Sequence, residues 1–345
     1  MKKFQTLAVY ASAALMAFSL AACGSDDEAP FNPVPNPTTP PSGPTEFVPE
    51  ANAQQAAKYN ISGGFSSDAT NGRSIESIEL LGDGSYIVTY NGAYSYTQKK
   101  EAPVKVGGKK DILRLLKSRK HASRSYGYDG FHDYGKYIIE ADGTIVLDGM
   151  DLAMKVEEGA TEITFEDKTT GRTSTVAATK ESAATGANSQ KLCRTWLQES
   201  IEFWASENGV NVVHLRYNVL TDSLKAFDIH PSLAADSVTA DDFMWDLETE
   251  FADEITFSPS GTYSVLYRNG VREYSTWKWE DEGRGILFYD WDEDDDAEDS
   301  AGFLNVTFSG TRAYIVEDYT YEERDEDDGR VYKYRMIGHT TLLAK

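Results

Sequence analysis

Apolar and polar residues alternate with a period of two through most of this chain, and glycine-bearing turns cut the alternation into short runs. Ile78 to Leu81, the turn Gly82-Asp83-Gly84 and Ser85 to Tyr90 predict one antiparallel hairpin. Ile138 to Glu140 with Thr144 to Leu147, across Asp142-Gly143, predict a second. Glu162 to Phe165 with Thr173 to Ala177, turning near Gly171, predict a third. The later half keeps the same rhythm. Glu254 to Phe257 pairs with Thr262 to Tyr267 across Pro259-Ser260-Gly261, Ser275 to Trp279 with Gly285 to Tyr289, and Leu304 to Phe308 with Ala313 to Glu317. The parallel points to two divergent copies, or to two unrelated sheet domains, joined by a polar Ala- and Thr-rich stretch between about Ala178 and Ser189. The expected fold class is mainly β, as two antiparallel barrel or sandwich domains over residues 51–185 and 190–345, each with a short helix. In the later half Asp241 to Phe251 puts Phe243, Met244, Leu247 and Phe251 on one helical face, suited to closing a barrel end.

The first residues break this rhythm. Lys2 and Lys3 precede an apolar run from Leu7 to Ala22, and a run of that length falls short of the roughly twenty residues a membrane-spanning helix needs. The pattern predicts an export signal over residues 1–22. Leu20-Ala21-Ala22-Cys23 resembles the lipobox of bacterial lipoproteins, which implies cleavage before Cys23 and acylation of that cysteine; an ordinary secretory signal is the alternative. The following Gly24-Ser25-Asp26-Asp27-Glu28 is similar to the acidic tag of Bacteroidota lipoproteins sent to the outer face of the outer membrane, and otherwise reads as a solvated linker start. Eight of the eleven prolines lie between Pro30 and Pro49, so residues 23–50 predict an extended tether. At about 3.1 Å per residue its reach is roughly 80 Å.

Charge narrows the partners. The chain carries −23, and loss of Lys2 and Lys3 with the signal would make it −25, a field that repels nucleic acid and anionic lipid. The expected membrane partner is therefore reached only through the lipid anchor. With Cys23 acylated, Cys193 stands alone and no internal disulfide can form.

Leu192-Cys193-Arg194-Thr195-Trp196, Ile255-Thr256-Phe257, Ser260-Gly261-Thr262-Tyr263, Asn269-Gly270 and Thr276-Trp277-Lys278-Trp279 together resemble the lipocalin-like domains of Bacteroidota lipoproteins, over roughly residues 190–345. The resemblance implies a small antiparallel barrel that often holds a small apolar ligand. It also implies a barrel floor in which a late arginine, here Arg335, lies across Trp196. Arg194 departs from the family, which usually has glycine two residues before the tryptophan.

Ten basic residues against two acidic ones mark Lys99 to Arg124, in an otherwise acidic chain. Ile112, Leu115 and Leu116 give part of it a helical apolar stripe, leaving Lys109, Lys110, Arg114, Lys117 and Lys120 as a candidate docking face for an anionic glycan or an acidic envelope protein. A solvated helix, or one packed on the chain's own acidic surface, fits the same pattern. Tyr126, Tyr128, Phe131 and Tyr134 follow among glycines, as a loop able to stack on sugar rings or to fold onto its own sheet. Asp292, Asp294 and Asp296 have the spacing of the first ligands of a calcium loop, but Ala297 and Phe303 stand where glycine and glutamate are needed, so a solvated acidic loop is the better fit. No serine elbow, phosphate loop or histidine pair at ligand spacing occurs, and no cofactor is expected. The function these features predict is a surface-anchored, non-catalytic binding or accessory lipoprotein. Its ligand would be a glycan, a small amphiphile or an envelope protein. A fimbria-like adhesin subunit is the alternative, and a glycan-cleaving enzyme the third reading.

Overall fold

Strict alternation buries one face of a strand and offers the other to water, and a sheet of such strands can hide its apolar face by closing on itself. The computed structural model describes residues 50–91, 132–231, 251–290, 301–324 and 330–345, apart from residues 158, 160, 269 and 271. Among the described residues the chain is mainly β, and its strands close into two eight-stranded antiparallel barrels. The choice left open between barrel and sandwich is resolved in favour of the barrel, an arrangement consistent with a lipocalin-like fold. Two compact units divide the chain, one of Pro49–Thr195 with Thr256–Glu273 and one of Trp196–Ile255 with Tyr274–Lys345.

The first barrel is an up-and-down meander of β1 (Ala57–Phe65), β2 (Ile75–Leu80), β3 (Ser85–Tyr90), β4 (His132–Ile139), β5 (Ile145–Leu147), β6 (Leu152–Val156), β7 (Glu162–Asp167) and β8 (Arg172–Lys180). It closes where Tyr59, Asn60 and Ile61 of β1 pair with Lys180, Thr179 and Ala178 of β8. The strand thus runs past Ala178, where the polar composition predicts the join to begin. Side chains fill its interior: Ile75, Ile78, Val88, Leu152, Ile163 and Phe165 are fully buried, and Phe65 stacks on Phe165 with ring centroids 4.2 Å apart. Tyr86 crosses the sheet over Gly135, its partner on β4. A β-carbon at Gly135 would stand 2.6 Å from the Tyr86 hydroxyl oxygen, so only glycine lets this ring lie down and donate to the Asp148 carbonyl at 2.9 Å.

The second barrel uses β9 (Thr195–Glu207), β12 (Ala252–Phe257), β13 (Thr262–Tyr267), β14 (Arg272–Asp281), β15 (Ile286–Asp290), β16 (Ala301–Ser309), β17 (Arg312–Arg324) and β18 (Val331–Ala344), with β18 closing on β9. An additional hairpin, β10 (Val210–Asn218) and β11 (Ser223–Ile229), extends the sheet from β9. All six predicted hairpins are present as consecutive strand pairs. Gly285 turns into β15 with φ at +71°, and a β-carbon there would lie 2.2 Å from the Val306 carbonyl oxygen, so the close approach of β16 requires glycine. Among the described residues one short helix, α1 (Ala187–Leu192), precedes β9, and Cys193 caps its C-terminus. The helix expected within Asp241 to Phe251 lies outside the described residues except for Phe251, which is buried and stacks on Tyr217 at 4.7 Å.

Candidate functional site

Buried carboxylates in this fold are normally answered. Asp167, in the first barrel, accepts backbone N–H groups from Ala69, Thr169 and Thr170 at 2.9–3.0 Å. Led by the Ala69 amide, these bonds hold its carboxyl down to about 2. Glu79, 3% exposed, accepts from the Thr262 hydroxyl at 2.6 Å and from Ser260 within the same compact unit. Asp133 accepts from Tyr90 at 2.6 Å and from Arg73 at 2.6 Å, while the Arg73 guanidinium covers the Tyr90 ring at 3.8 Å.

Glu317 breaks the rule. On β17 the pairs Asn305–Val316 and Ile315–Thr340 fix the register, and Glu317 sits opposite Gly338 of β18, which in turn sits opposite Phe203 of β9. Residues opposite one another share a face, so Glu317 belongs to a row running Trp279, Leu287, Leu304, Glu317, Gly338, Phe203 across six strands. Leu287, Leu304 and Phe203 in this row are buried, which places it on the inner wall of the barrel. Glu317 itself is half-buried. It has no hydrogen-bond or ion-pair partner among the described residues. Burial alone pushes its carboxyl well above the ordinary carboxylate range. Gly338 beside it is buried, and the only described atom within 4 Å of a β-carbon placed there is the Glu317 Oε2, at 3.7 Å. Among the described residues, room for a side chain is therefore left next to an unanswered carboxylate. The wall around it is apolar: Trp277 and Trp279 meet edge to face at 5.7 Å, and Tyr289 and Ile315 are buried on the same side.

The outer face of these strands carries a second cluster. Its register aligns Asp318, Ile337, Trp204, His214 and Asp228 in one row and Val316, His339, Glu202 and Arg216 in the next. His214 stacks on Trp204 at 4.9 Å, and His339 meets the indole edge-on at 4.9 Å. Glu202 takes His214 Nε2 at 2.8 Å and Arg216 at 2.7 Å. His339 Nε2 is buried with no hydrogen-bond partner among the described residues, and burial pulls the His339 pKa below its ordinary value despite Glu202 and Asp318. Trp204 thus meets both histidines from within the chain. This cluster ties the β10–β11 hairpin to β9 and β18.

The residues singled out from sequence fare unevenly. Cys23, Lys109, Lys110, Arg114, Lys117, Lys120, Tyr126, Tyr128, Phe131, Asp292, Asp294 and Asp296 lie outside the described residues. Residues 92–131 join β3 to β4, which pair through Thr89 and His132, so the basic segment leaves and re-enters at one end of the first barrel. Tyr134 belongs to β4, opposite Ile87, not to a loop, and the Arg272 guanidinium lies 3.9 Å from its ring within the same compact unit. Trp196, expected on the barrel floor, is fully buried and lies 6.4 Å from Phe308. Arg335 does not lie across it. Trp196 pairs with Ala344, nine positions along β18 from Arg335 and so about 30 Å away, and Arg335 binds Asp318 on the outer face through Nε at 2.8 Å. Sequence reading missed Glu317 altogether, because Glu317-Asp318 reads as the start of an acidic strand end. Only the register separates the two. Among the described residues no group of three or more His, Cys, Asp or Glu is placed to hold a metal. No protein-family model, curated protein or solved structure matches this chain.

Proposed function

We propose that this chain is a lipid-anchored surface lipoprotein that binds a small amphiphile inside its second barrel, without catalysing a reaction. The observation that supports the reading is the place above Gly338, where the Glu317 Oε2 is the only described atom within 4 Å of a β-carbon, on an inner wall that carries Phe203, Leu287, Leu304 and Trp279. Concave apolar walls with a few polar groups are the usual form of a small-molecule site. The first barrel, whose interior its own side chains occupy, serves in this reading as a scaffold, and the basic segment between β3 and β4 as a surface on which an anionic glycan or envelope protein docks. The export signal, the lipobox at Cys23 and the proline-rich tether support a location at the outer membrane, with both barrels held away from it.

The test uses the mature chain from Gly24 onward, prepared without lipid so that no detergent competes. A neutral fluorescent naphthylamine is titrated in, and dodecanol is used to displace it. Saturable binding is expected, and Gly338→Leu, which fills the vacant place, is expected to abolish it. If the parent binds no probe, or if the leucine variant binds as well as the parent, the interior site is wrong.

A further inference from the structure

We infer that the ligand of the second barrel presents a cationic nitrogen, an ammonium or amidinium group, to Glu317; the inference rests on the interior site proposed above and names its ligand class. A carboxylate removed from water is costly unless a donor or cation answers it. The other buried or half-buried carboxylates described above have such an answer: Asp167 from three amides, Glu79 from two hydroxyls, Asp133 from Tyr90 and Arg73. The nearest members of the row that contains Glu317, Leu304, Gly338 and Phe203, have no side-chain donor to offer, and the indole N–H of Trp279 lies three strands away. The place left vacant lies on the side where the Glu317 Oε2 points, above Gly338. An ammonium seated there would complete the carboxylate's hydrogen bonding and remove the penalty of its burial in one step. A neutral hydroxyl would donate one bond and leave the charge, and a carboxylate would bring two like charges together.

The surrounding chemistry agrees. Trp279 and Trp277 line the same wall, and aromatic faces favour a cation as well as an alkyl chain. The protein's net charge of −23 raises the local concentration of cations and lowers that of anions. The ligand that satisfies all these features is a cationic amphiphile: an alkyl or aryl body against the apolar wall, its nitrogen on Glu317.

The experiment compares dodecylammonium, dodecanol and dodecanoate as displacers of the same neutral probe from the mature chain at neutral pH. A charge-assisted hydrogen bond in a site of this kind is worth enough for about a tenfold or larger preference for the ammonium over the alcohol. Dodecanoate is expected to displace least. Glu317→Gln is expected to bring dodecylammonium to the level of dodecanol. Circular dichroism and the neutral probe's own affinity report whether the variant folds; Glu317→Asp, which retains the charge, is expected to keep part of the preference. Equal displacement by ammonium and alcohol in the parent, or a preference that survives in Glu317→Gln, overturns the inference and leaves the interior site standing. No displacement by any of the three overturns both.

Discussion

Replacing Glu317 by glutamine tests the interior carboxylate through stability, with no ligand present. The perturbation keeps the shape of the side chain and removes its charge. Burial raises the Glu317 pKa in the fold above its unfolded value of 4.5, so the native state holds the proton more tightly than the unfolded chain. Its contribution to stability is therefore fully present below about pH 4.5 and is lost as pH rises through the folded value. Glutamine has no such loss. The variant should match the parent under acid and exceed it at neutral pH, by about 1–3 kcal/mol if the unanswered carboxylate costs what buried unsatisfied groups usually cost. The assay is urea unfolding followed by tryptophan fluorescence. All six tryptophans, at 196, 204, 245, 277, 279 and 291, fall in the later half of the chain, so the signal reports on that half. His339, whose lowered pKa makes stability fall as pH drops below 6.5, is common to both proteins and cancels in the difference. A difference that is flat with pH, or a glutamine variant less stable than the parent at neutral pH, would refute the placement of Glu317 on an apolar inner wall.

Two further outcomes follow from particular contacts and one from the lipobox. Gly135→Ala should destabilise the first barrel by about 1–3 kcal/mol, because its β-carbon would meet the Tyr86 ring at 2.6–2.8 Å; chemical unfolding followed by tyrosine fluorescence measures it, and a neutral effect would mean the ring does not lie there. Asp167→Asn should lower the melting temperature at neutral pH and flatten acid unfolding. Its depressed folded pKa gives stability that is present above about 3.8 and lost as pH falls through about 2. Cys23→Ala should release the protein from membranes into the soluble fraction; a variant that still sediments with membranes would disprove lipid anchoring at that residue.

The architecture was readable because its signals are local. Each hairpin announces itself through alternation and a turn rich in glycine or aspartate, and strands such as Ser85–Tyr90 and Thr262–Tyr267 need no distant information to be recognised. Closure into barrels was not readable from alternation alone, since a sandwich buries one strand face in the same way. The candidate site was the least legible part. Basic residues between Lys99 and Arg124 stand out because charge density is visible in one dimension, whereas Glu317 is one acidic residue among fifty-six Asp and Glu. What distinguishes it is the absence of partners among the described residues, which depends on Gly338 and Phe203, residues that are distant in sequence and chemically silent.

Register is the physical quantity behind that difference, and Asp318 provides its control. Adjacent strand residues face opposite sides, so a slip of one position along β17 would exchange the surroundings of Glu317 and Asp318. In the observed register Asp318 lies outside, opposite Ile337, and takes the Arg335 guanidinium at 2.8 Å. Its side chain is 23% exposed and that of Arg335 42%, so this is a surface ion pair worth less than about 1 kcal/mol. Asp318→Asn should therefore lower stability slightly, with an effect that shrinks as salt is added. Glu317→Gln should raise stability at neutral pH and be indifferent to salt. The two substitutions are adjacent and equally conservative, yet their signs are expected to be opposite. Urea unfolding of the pair at low and high salt decides the matter. If Asp318→Asn stabilises while Glu317→Gln destabilises, β17 is shifted by one residue, the inner wall carries Asp318, and the carboxylate assigned to the barrel interior is the wrong one.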